Sequence, residues 1–507
     1  MRTLPTLAAL VTVTVLAGAA SGAAPSWVPP IAVAAGVSSQ VALDGRGDAI
    51  VLLGSGGAVR AVFRPAGGRL RAPVDISMPN VAARALGLAM NEEGDAAAVW
   101  ADGNEAFAAV RAGTGRFEPR GGYALGPWAD AIRSGPVVAL DARGDATVVW
   151  GSGSYPNFAV EAATRPAGGS WTQPETISTP ETQPIGLALA VDPKGNAIVA
   201  WTKTGDTGVG IETAFRPAGG GWEAPRELSA ANASYGSPQV ALSSSGDGIV
   251  AWECCFPSSR IEAARFSMPS RTSQPPEDVS PPGVAAEAPQ LALDAKGDAL
   301  AVWYASSSSV VQAATGRPGG HFGAPRFVGR GISGAQLVLA TNARGDAIVA
   351  WQRGSPSFFQ ASDIQAAVRP ANRVFEPAAT MPGSIVPPAV AVDGQGNGIV
   401  VWTLPSEGKA VQAAGFDAAG PQLRSLHVPP RGEVGTPFHF AVSPVDVWSG
   451  VASTRWSFGD GGRANGRRLL HVYRHAGRYR VTVTSTDRLG KTTRSTRTVQ
   501  IIPRYAP

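Results

Sequence analysis

The stretch VALDARGDATVVW, residues 138–150, decides how this chain is read. Two runs of β-forming residues flank a polar turn around Gly144, and the second run closes on Trp150. Such runs about an Asp/Asn/Gly-rich turn read as a β-hairpin. The turn also spells Arg143-Gly144-Asp145, a tripeptide found again at Arg46-Gly47-Asp48 and Arg344-Gly345-Asp346. It is either a ligand for adhesion receptors or a by-product of the turn. The hairpin itself recurs eight times: VALDGRGDAIVLL (41–53), LAMNEEGDAAAVW (88–100), the copy at 138–150, LAVDPKGNAIVAW (189–201), VALSSSGDGIVAW (240–252), LALDAKGDALAVW (291–303), LATNARGDAIVAW (339–351) and VAVDGQGNGIVVW (390–402). Before the glycine stand Arg, Glu, Arg, Lys, Ser, Lys, Arg and Gln in turn; after it, always Asp or Asn. Glycine supplies the positive φ of a tight turn, and Asp or Asn bonds the local backbone. Arg-Gly-Asp is therefore one outcome of a turn rule and is not expected to serve a receptor.

The hairpins lie about 50 residues apart, a period of propeller blades and solenoid units. A second constant piece follows each of them: a short strand, a Pro-Ala-Gly-Gly-like turn, then an aromatic or apolar residue with Pro soon after. VEAATRPAGGSWTQPETIS (160–178) and IETAFRPAGGGWEAPRELS (211–229) show it. Each unit thus offers four antiparallel strands, and eight such units predict an all-β chain folded as an eight-bladed β-propeller. A sandwich array or an open solenoid is the alternative. The last unit lacks its outer strand, whereas Trp27 and Pro30 repeat the spacing of Trp171 and Pro174. Residues 27–34 are therefore expected to complete the final blade, closing the ring and leaving no terminal edge. The Gly168-Gly169-Ser170-Trp171 hairpin end resembles the blades of sialidase-like and lectin propellers. The sialidase pattern Ser-x-Asp-x-Gly-x-Thr-Trp is met in no unit, so the resemblance implies the shape and none of the chemistry.

In such a ring the constant turns fall on one face and the variable connections on the other. Rigidly held, variable loops are where binding usually lives. Aromatic residues gather in them, and Trp128, Tyr155, Phe158, Tyr235, Phe256, Tyr304, Phe358 and Phe359 are the candidate ligand contacts. The hairpin-closing Trp100, Trp150, Trp201, Trp252, Trp303, Trp351 and Trp402 (Leu53 in the first unit) are expected instead to fill the wedges between blades.

The first residues, MRTLPTLAALVTVTVLAGAASGAAPS, carry one Arg, a short apolar run and small residues that fit a cleavage site. Residues 1–24 read as a secretory signal peptide, because the run is too short to span a bilayer. No later run is long enough either, so the mature chain is expected to be secreted and extracellular, with no membrane span. Its two cysteines are adjacent, Cys254 and Cys255, which rules out a disulfide framework and leaves either unpaired thiols or a vicinal disulfide.

From about Leu423 the pattern changes. WSFGDGG (456–462) followed by HVYRHAGRYRVTVTSTDRLG (471–490) closely resembles the PKD domain, an immunoglobulin-like β-sandwich. Trp456, Phe458, Gly459, Asp460, Gly461, His471, Tyr473, Gly477, Tyr479, Val481, Val483 and Asp487 carry the match. The resemblance implies a sandwich core of Trp, Tyr and Val, a Gly-Asp-Gly turn, and a spacer or adhesive role outside cells. The expected organisation is signal peptide 1–24, propeller 27–422 and PKD domain 423–503. Residues 424–507 hold fourteen Arg and Lys against four acids, about +10. The whole chain is +5, so the remainder sums to about −5. This basic module is a candidate for contact with an anionic wall polymer, while nucleic acid is not expected as a partner.

A catalytic centre is harder to find. His321, His427, His439, His471 and His475 are the only histidines, four of them in the C-terminal module, so no triad or His-based metal site can assemble across the ring. No Gly-x-Ser-x-Gly elbow and no phosphate-cradling Gly-Lys loop occurs. No catalytic residue, metal ligand or cofactor is assigned. The leading reading is a secreted, non-catalytic binding or adhesion protein for an extracellular polysaccharide or a cell-surface protein. A polysaccharide-active hydrolase or lyase with a PKD accessory domain is the alternative, since two spaced acids would suffice. A protein–protein scaffold is the third.

Overall fold

The computed structural model describes residues 24–504 apart from 130–133, 155–156, 180–182, 205–207, 230–236, 256–258, 269–271, 332–335, 354–361, 385 and 406–408. All but the last residue of the expected signal peptide lies outside them. The chain divides into two compact units, Trp27–Phe416 and one that begins at Asp417. Both are built of strands alone among the described residues.

In the first unit the hairpin is the founding element, and its turn explains the glycine. In the third copy Asp141 is buried, and its Oδ1 accepts the backbone N–H of Arg143 (2.8 Å) and of Asp145 (2.9 Å). Asp44, Asp192, Asp294, Asn342 and Asp393 do the same in their copies. The glycine has φ between +81° and +96° in all eight turns. The Asp that follows it is also occupied: Oδ1 of Asp48, Asp145 and Asp346 accepts the N–H of Ala66, Ala167 and Ala371 in the turn between the unit's third and fourth strands. All three Arg-Gly-Asp tripeptides thus have their carboxylate tied to their own sheet. Consecutive turns also bond one another, as in Ala142 N–H to Pro193 O and Asn342 Nδ2 to the Asp393 carbonyl.

The described strands of this unit form eight antiparallel sheets, spanning Val37–Asp75, Arg84–Pro127, Val137–Thr176, Gln183–Ser229, Gln239–Asp278, Ala286–Arg330, Leu337–Ser384 and Ala389–Asp417. Within each sheet a strand pairs with the next in chain order, except that in the fifth both Thr272–Ser273 and Glu277–Asp278 pair with Arg260–Ser267. The first strands of successive sheets lie side by side, and that of the eighth returns beside that of the first, Val37–Leu43. The eighth sheet is completed by Ser26–Trp27 and Ile31–Ala35, which pair with Ala410–Asp417; Ile31 stands opposite Ala413. Trp27 meets Phe416 edge-on at 5.1 Å.

Both faces of each sheet are covered by neighbours, so the second strands are buried over most of their length, and wholly so in Ala299–Ala305. Small alanines let adjacent sheets approach and the closing tryptophans fill what remains. Trp150 packs among Ala97, Val99 and Ala108 of the second sheet, and Trp201 among Val149 and Val160 of the third. All seven are at most 1 % exposed.

The second unit is a sandwich of two sheets. One holds Gln422–His427, Pro437–Val445 and Arg468–Val472; the other holds Arg431–Glu433, Val451–Ser457, Arg463–Asn465, Gly477–Asp487 and Thr492–Ile502. Phe438, Phe440, Trp456, Phe458, Tyr473, Val481, Val483, Val499 and Ile501 form its core. The Tyr473 hydroxyl donates to the Phe458 carbonyl, and Gly459 and Gly461 take the positive φ that the turn around Asp460 needs.

Candidate functional site

The second sheet departs from its siblings at the outer strand. In the first and third sheets that strand is two residues long, Val74–Asp75 and Glu175–Thr176, but here it runs from Glu118 to Pro127 with two register shifts. The strand takes in Arg120–Pro127, a stretch whose glycines read as those of a loop. The cause lies in EPRGGYALGP. Gly121 and Gly122 adopt φ of +101° and +85°, and a Cβ on Gly122 would stand 2.5 Å from the ring of Trp100. Two residues without side chains let the strand lie directly on the indole. The Gly121 N–H then reaches across to the Ile76 carbonyl of the first sheet.

A groove of about 990 Å³ opens where this strand meets its neighbours in the first and third sheets. Phe63 and Phe117 lie in its floor, 6.3 Å apart, with the Arg111 guanidinium over Phe63 at 4.9 Å. Arg111 is fixed by the carbonyls of Gly94 and Gly115, and burial lowers its pKa below the usual arginine value. At one end Tyr123 stacks against Trp171 (6.3 Å, 24°); Tyr123 is 38 % exposed and Trp171 8 %. Arg71, Arg116, Arg120 and Arg165 complete the lining, against two acids, Asp75 and Glu118. Asp75 is already held by Arg60 at 2.7 Å. A smaller cleft of about 370 Å³ between the fourth and fifth sheets is lined by Phe215, Leu228, Phe266 and Met268 and lacks such a cluster of arginines.

The aromatic candidates fall into three groups. Tyr155, Tyr235, Phe256, Phe358 and Phe359 lie outside the described residues. Trp128 and Tyr304 are buried, at 5 % and 1 % exposure. Trp128 packs beside Trp150 and donates Nε1 to the Ser134 carbonyl, while Tyr304 sits among Val302, Leu337 and Trp351. Both rings are spent on packing. Phe158 is half-buried against the wedge that holds Trp201. Cys254 and Cys255 are joined by a disulfide, with Cys255 at φ +74° and its Sγ 4.0 Å from Glu262 Oε1.

In the second unit, three buried carboxylates, those of Asp417, Asp446 and Asp487, each bring an oxygen within 4.8 Å of the others. Carboxylate oxygens are the donor type a hard cation takes, but three of them supply only part of its coordination shell. The chain's own Lys491 Nζ already lies 3.2 Å from Asp417 Oδ1. Burial, then the neighbouring Asp446, raise the Asp417 pKa from 3.8 to about 6 against the pull of Lys491. The members of this trio sit 29 and 41 positions apart in the chain and include no histidine.

Residues 419–502 match the PKD domain family. The PKD match covers the second unit and leaves the eight sheets unassigned. Among curated proteins nothing matches the chain. Solved structures similar to it include a protein of unknown function from Dyadobacter fermentans (13 % identity, 55 % of this chain and 93 % of that one, TM-score 0.38). They also include the fucose-specific lectin of Aleuria aurantia (10 %, 59 % and 96 %, TM-score 0.35). The PKD1 domain of Vibrio anguillarum Epp is 26 % identical over 17 % of this chain and 99 % of its own, with TM-score 0.15. No helix among the described residues is long and apolar enough to cross a membrane.

Proposed function

We propose that this chain is a secreted, non-catalytic glycan-binding protein, an eight-bladed β-propeller over residues 27–422 followed by an immunoglobulin-like PKD module over 423–503. Eight sheets whose first strands neighbour one another cyclically support the ring, and the pairing of Ile31–Ala35 with Ala410–Asp417 supports its closure by the N-terminal strand. The signal-like segment 1–24 and the PKD match support an extracellular location.

The groove of the first three sheets carries the binding reading. Its volume is at the upper end of ligand sites, about 300–1,000 Å³. It presents the Tyr123 ring, backed by Trp171, as a flat apolar surface with a polar edge, which suits the face of a sugar. Against hydrolysis, Asp75 is engaged with Arg60, which leaves Glu118 as the one groove carboxylate outside an ion pair among the described residues. Among the described residues of the groove only Glu118 and the Arg60-bound Asp75 could act as the acids that glycosidases use, which favours binding over hydrolysis. The PKD module serves as spacer or adhesive unit. The test is a glycan array probed with the full chain, followed by assay of the bound glycans for new reducing ends. Binding that Tyr123→Ala weakens, with no new reducing ends, is expected; turnover of a bound glycan, or silence across the array, refutes the reading.

A further inference from the structure

The lining of the groove is more specific than a sugar platform requires. Five guanidinium groups, on Arg71, Arg111, Arg116, Arg120 and Arg165, converge on it from three sheets. Arg111 is committed to the floor. The other four have no carboxylate within ion-pair distance among the described residues, and Arg71, Arg116 and Arg120 are exposed. The opposing acids do not balance them, because Asp75 is neutralised by Arg60 from outside the groove. This island of positive charge stands on a part of the chain whose sum is about −5. Like charges gathered in one concavity repel; burial chiefly lowers the Arg111 pKa, Asp44 and Asp48 oppose that, and Arg71 adds to the lowering. Such an arrangement is relieved by an anionic ligand. Guanidinium groups present planar forks that fit carboxylates and related oxyanions, and they do so better than any other side chain.

We infer that the groove takes an acidic polysaccharide, with carboxylate or sulfate groups on Arg71, Arg116, Arg120 and Arg165 and a sugar ring against Tyr123. This rests on the glycan-binding reading above and names the ligand class. Their origin supports it: the arginines come from the third-to-fourth-strand regions of three successive sheets, so a ligand that meets all of them must reach across the three. A chain with a repeated anion can do so, whereas a single small anion would meet only part of the set.

The experiment titrates the full chain with four probes: oligogalacturonate, its carboxyl-reduced neutral counterpart, dextran sulfate and neutral dextran. Duplex DNA is the polyanion control. Because the PKD module is itself basic, only differences between the wild type and variants in the groove count. Arg116→Ala/Arg120→Ala removes two exposed side chains that lie outside the hydrophobic core, so the fold is kept. The expected result is binding of one acidic glycan at least tenfold over its neutral counterpart. That binding falls about tenfold in R116A/R120A and weakens with salt, and Y123A lowers it too. A carboxylate preference or a sulfate preference identifies the anion, and either supports the inference. Equal binding of acidic and neutral probes, both dependent on Tyr123, overturns the acidic ligand and leaves glycan binding standing. Duplex DNA binding as tightly, with Y123A without effect, overturns it in favour of plain polyanion capture. Binding of every probe unchanged in both variants overturns this inference and the groove together.

Discussion

Replacing Asp141 by alanine tests what the recurrent turn is for. The buried Asp141 carboxylate accepts two backbone N–H groups, from Arg143 at 2.8 Å and Asp145 at 2.9 Å. Removing the acceptor leaves both donors unpaired in a half-buried turn. A hydrogen bond contributes about 1 kcal/mol net, and a stranded buried donor costs about 1–3 kcal/mol. Asp141→Ala should therefore loosen the turn by about 2–3 kcal/mol, an increase of roughly 30- to 150-fold in local opening. The Arg143 side chain is 64 % exposed, so its ion pair to Asp141 is screened and contributes little. Asp141→Asn should restore most of the loss. The protein does this itself at Asn342, whose Oδ1 accepts the N–H of Arg344 and Asp346 while Nδ2 donates to Asp346. Hydrogen exchange at the Arg143 and Asp145 amides is the assay, since it reads the turn directly and does not assume that a chain of this size unfolds in one step. Fast exchange in D141A, near-wild-type exchange in D141N and no change in Arg143→Gln are expected. If D141N exchanges as fast as D141A, charge and not acceptance holds the turn, and the account of the repeated motif is wrong.

Three further outcomes follow from other parts of the molecule. Asp417 has a pKa raised from 3.8 to about 6, so its protonated form favours the folded state; that stability is fully present below pH 4 and is lost as pH rises through 6. Asp417→Asn should accordingly gain up to about 3 kcal/mol on the wild type at pH 7.5 and almost nothing at pH 3.5, and melts giving the same gain at both would refute the assignment. Trp128→Ala and Tyr304→Ala should each cost about 3–5 kcal/mol in denaturant unfolding, whereas Tyr123→Ala, at the groove surface, should cost under about 1 kcal/mol. Equal costs would mean that the distinction between packing rings and groove rings is mistaken. Gly122→Ala should destabilise by about 1–3 kcal/mol, because a Cβ there meets the Trp100 ring at 2.5 Å on a backbone at φ +85°. Gly103→Ala, also at positive φ but with nothing within 4 Å, should cost only the backbone strain of about 1 kcal/mol, as thermal melts would show.

What could be read from the chain alone follows the range of the interactions involved. The hairpin, its glycine and the closing tryptophan are specified within about a dozen residues, and so the eight copies from Val41 to Trp402 announce themselves. The sandwich core around Trp456, Phe458 and Tyr473 was legible through the resemblance of WSFGDGG and the stretch after it to the PKD domain. The orphan Trp27–Pro30 could be placed because it completes a count. The groove was not legible. Arg71, Arg116 and Arg165 belong to three repeats, and only the side-by-side setting of their sheets brings them to one concavity. Its central strand was hidden by its irregularity, since EPRGGYALGP has the glycines of a loop and uses them to lie on Trp100. Trp128 and Tyr304 show the opposite error. Both stand close to variable segments, yet Tyr304 is the last-but-one residue of a fully buried strand, and proximity to a loop says nothing of the direction in which a ring points. The trio of Asp417, Asp446 and Asp487 escaped because its members are distant in sequence and each, taken singly, resembles an ordinary turn residue.

The pairing of Ile31 with Ala413 has a temporal meaning as well. A ribosome makes the partner of the Ile31–Ala35 strand almost last in this unit, so that strand must stay solvated while seven sheets are synthesised behind it. Until residues 410–416 emerge, the final sheet presents a bare hydrogen-bonding rim, and contacts so remote along the chain form slowly. A polypeptide threaded through a membrane before it folds would meet that delay at no disadvantage, because both ends arrive in the same compartment before either is needed.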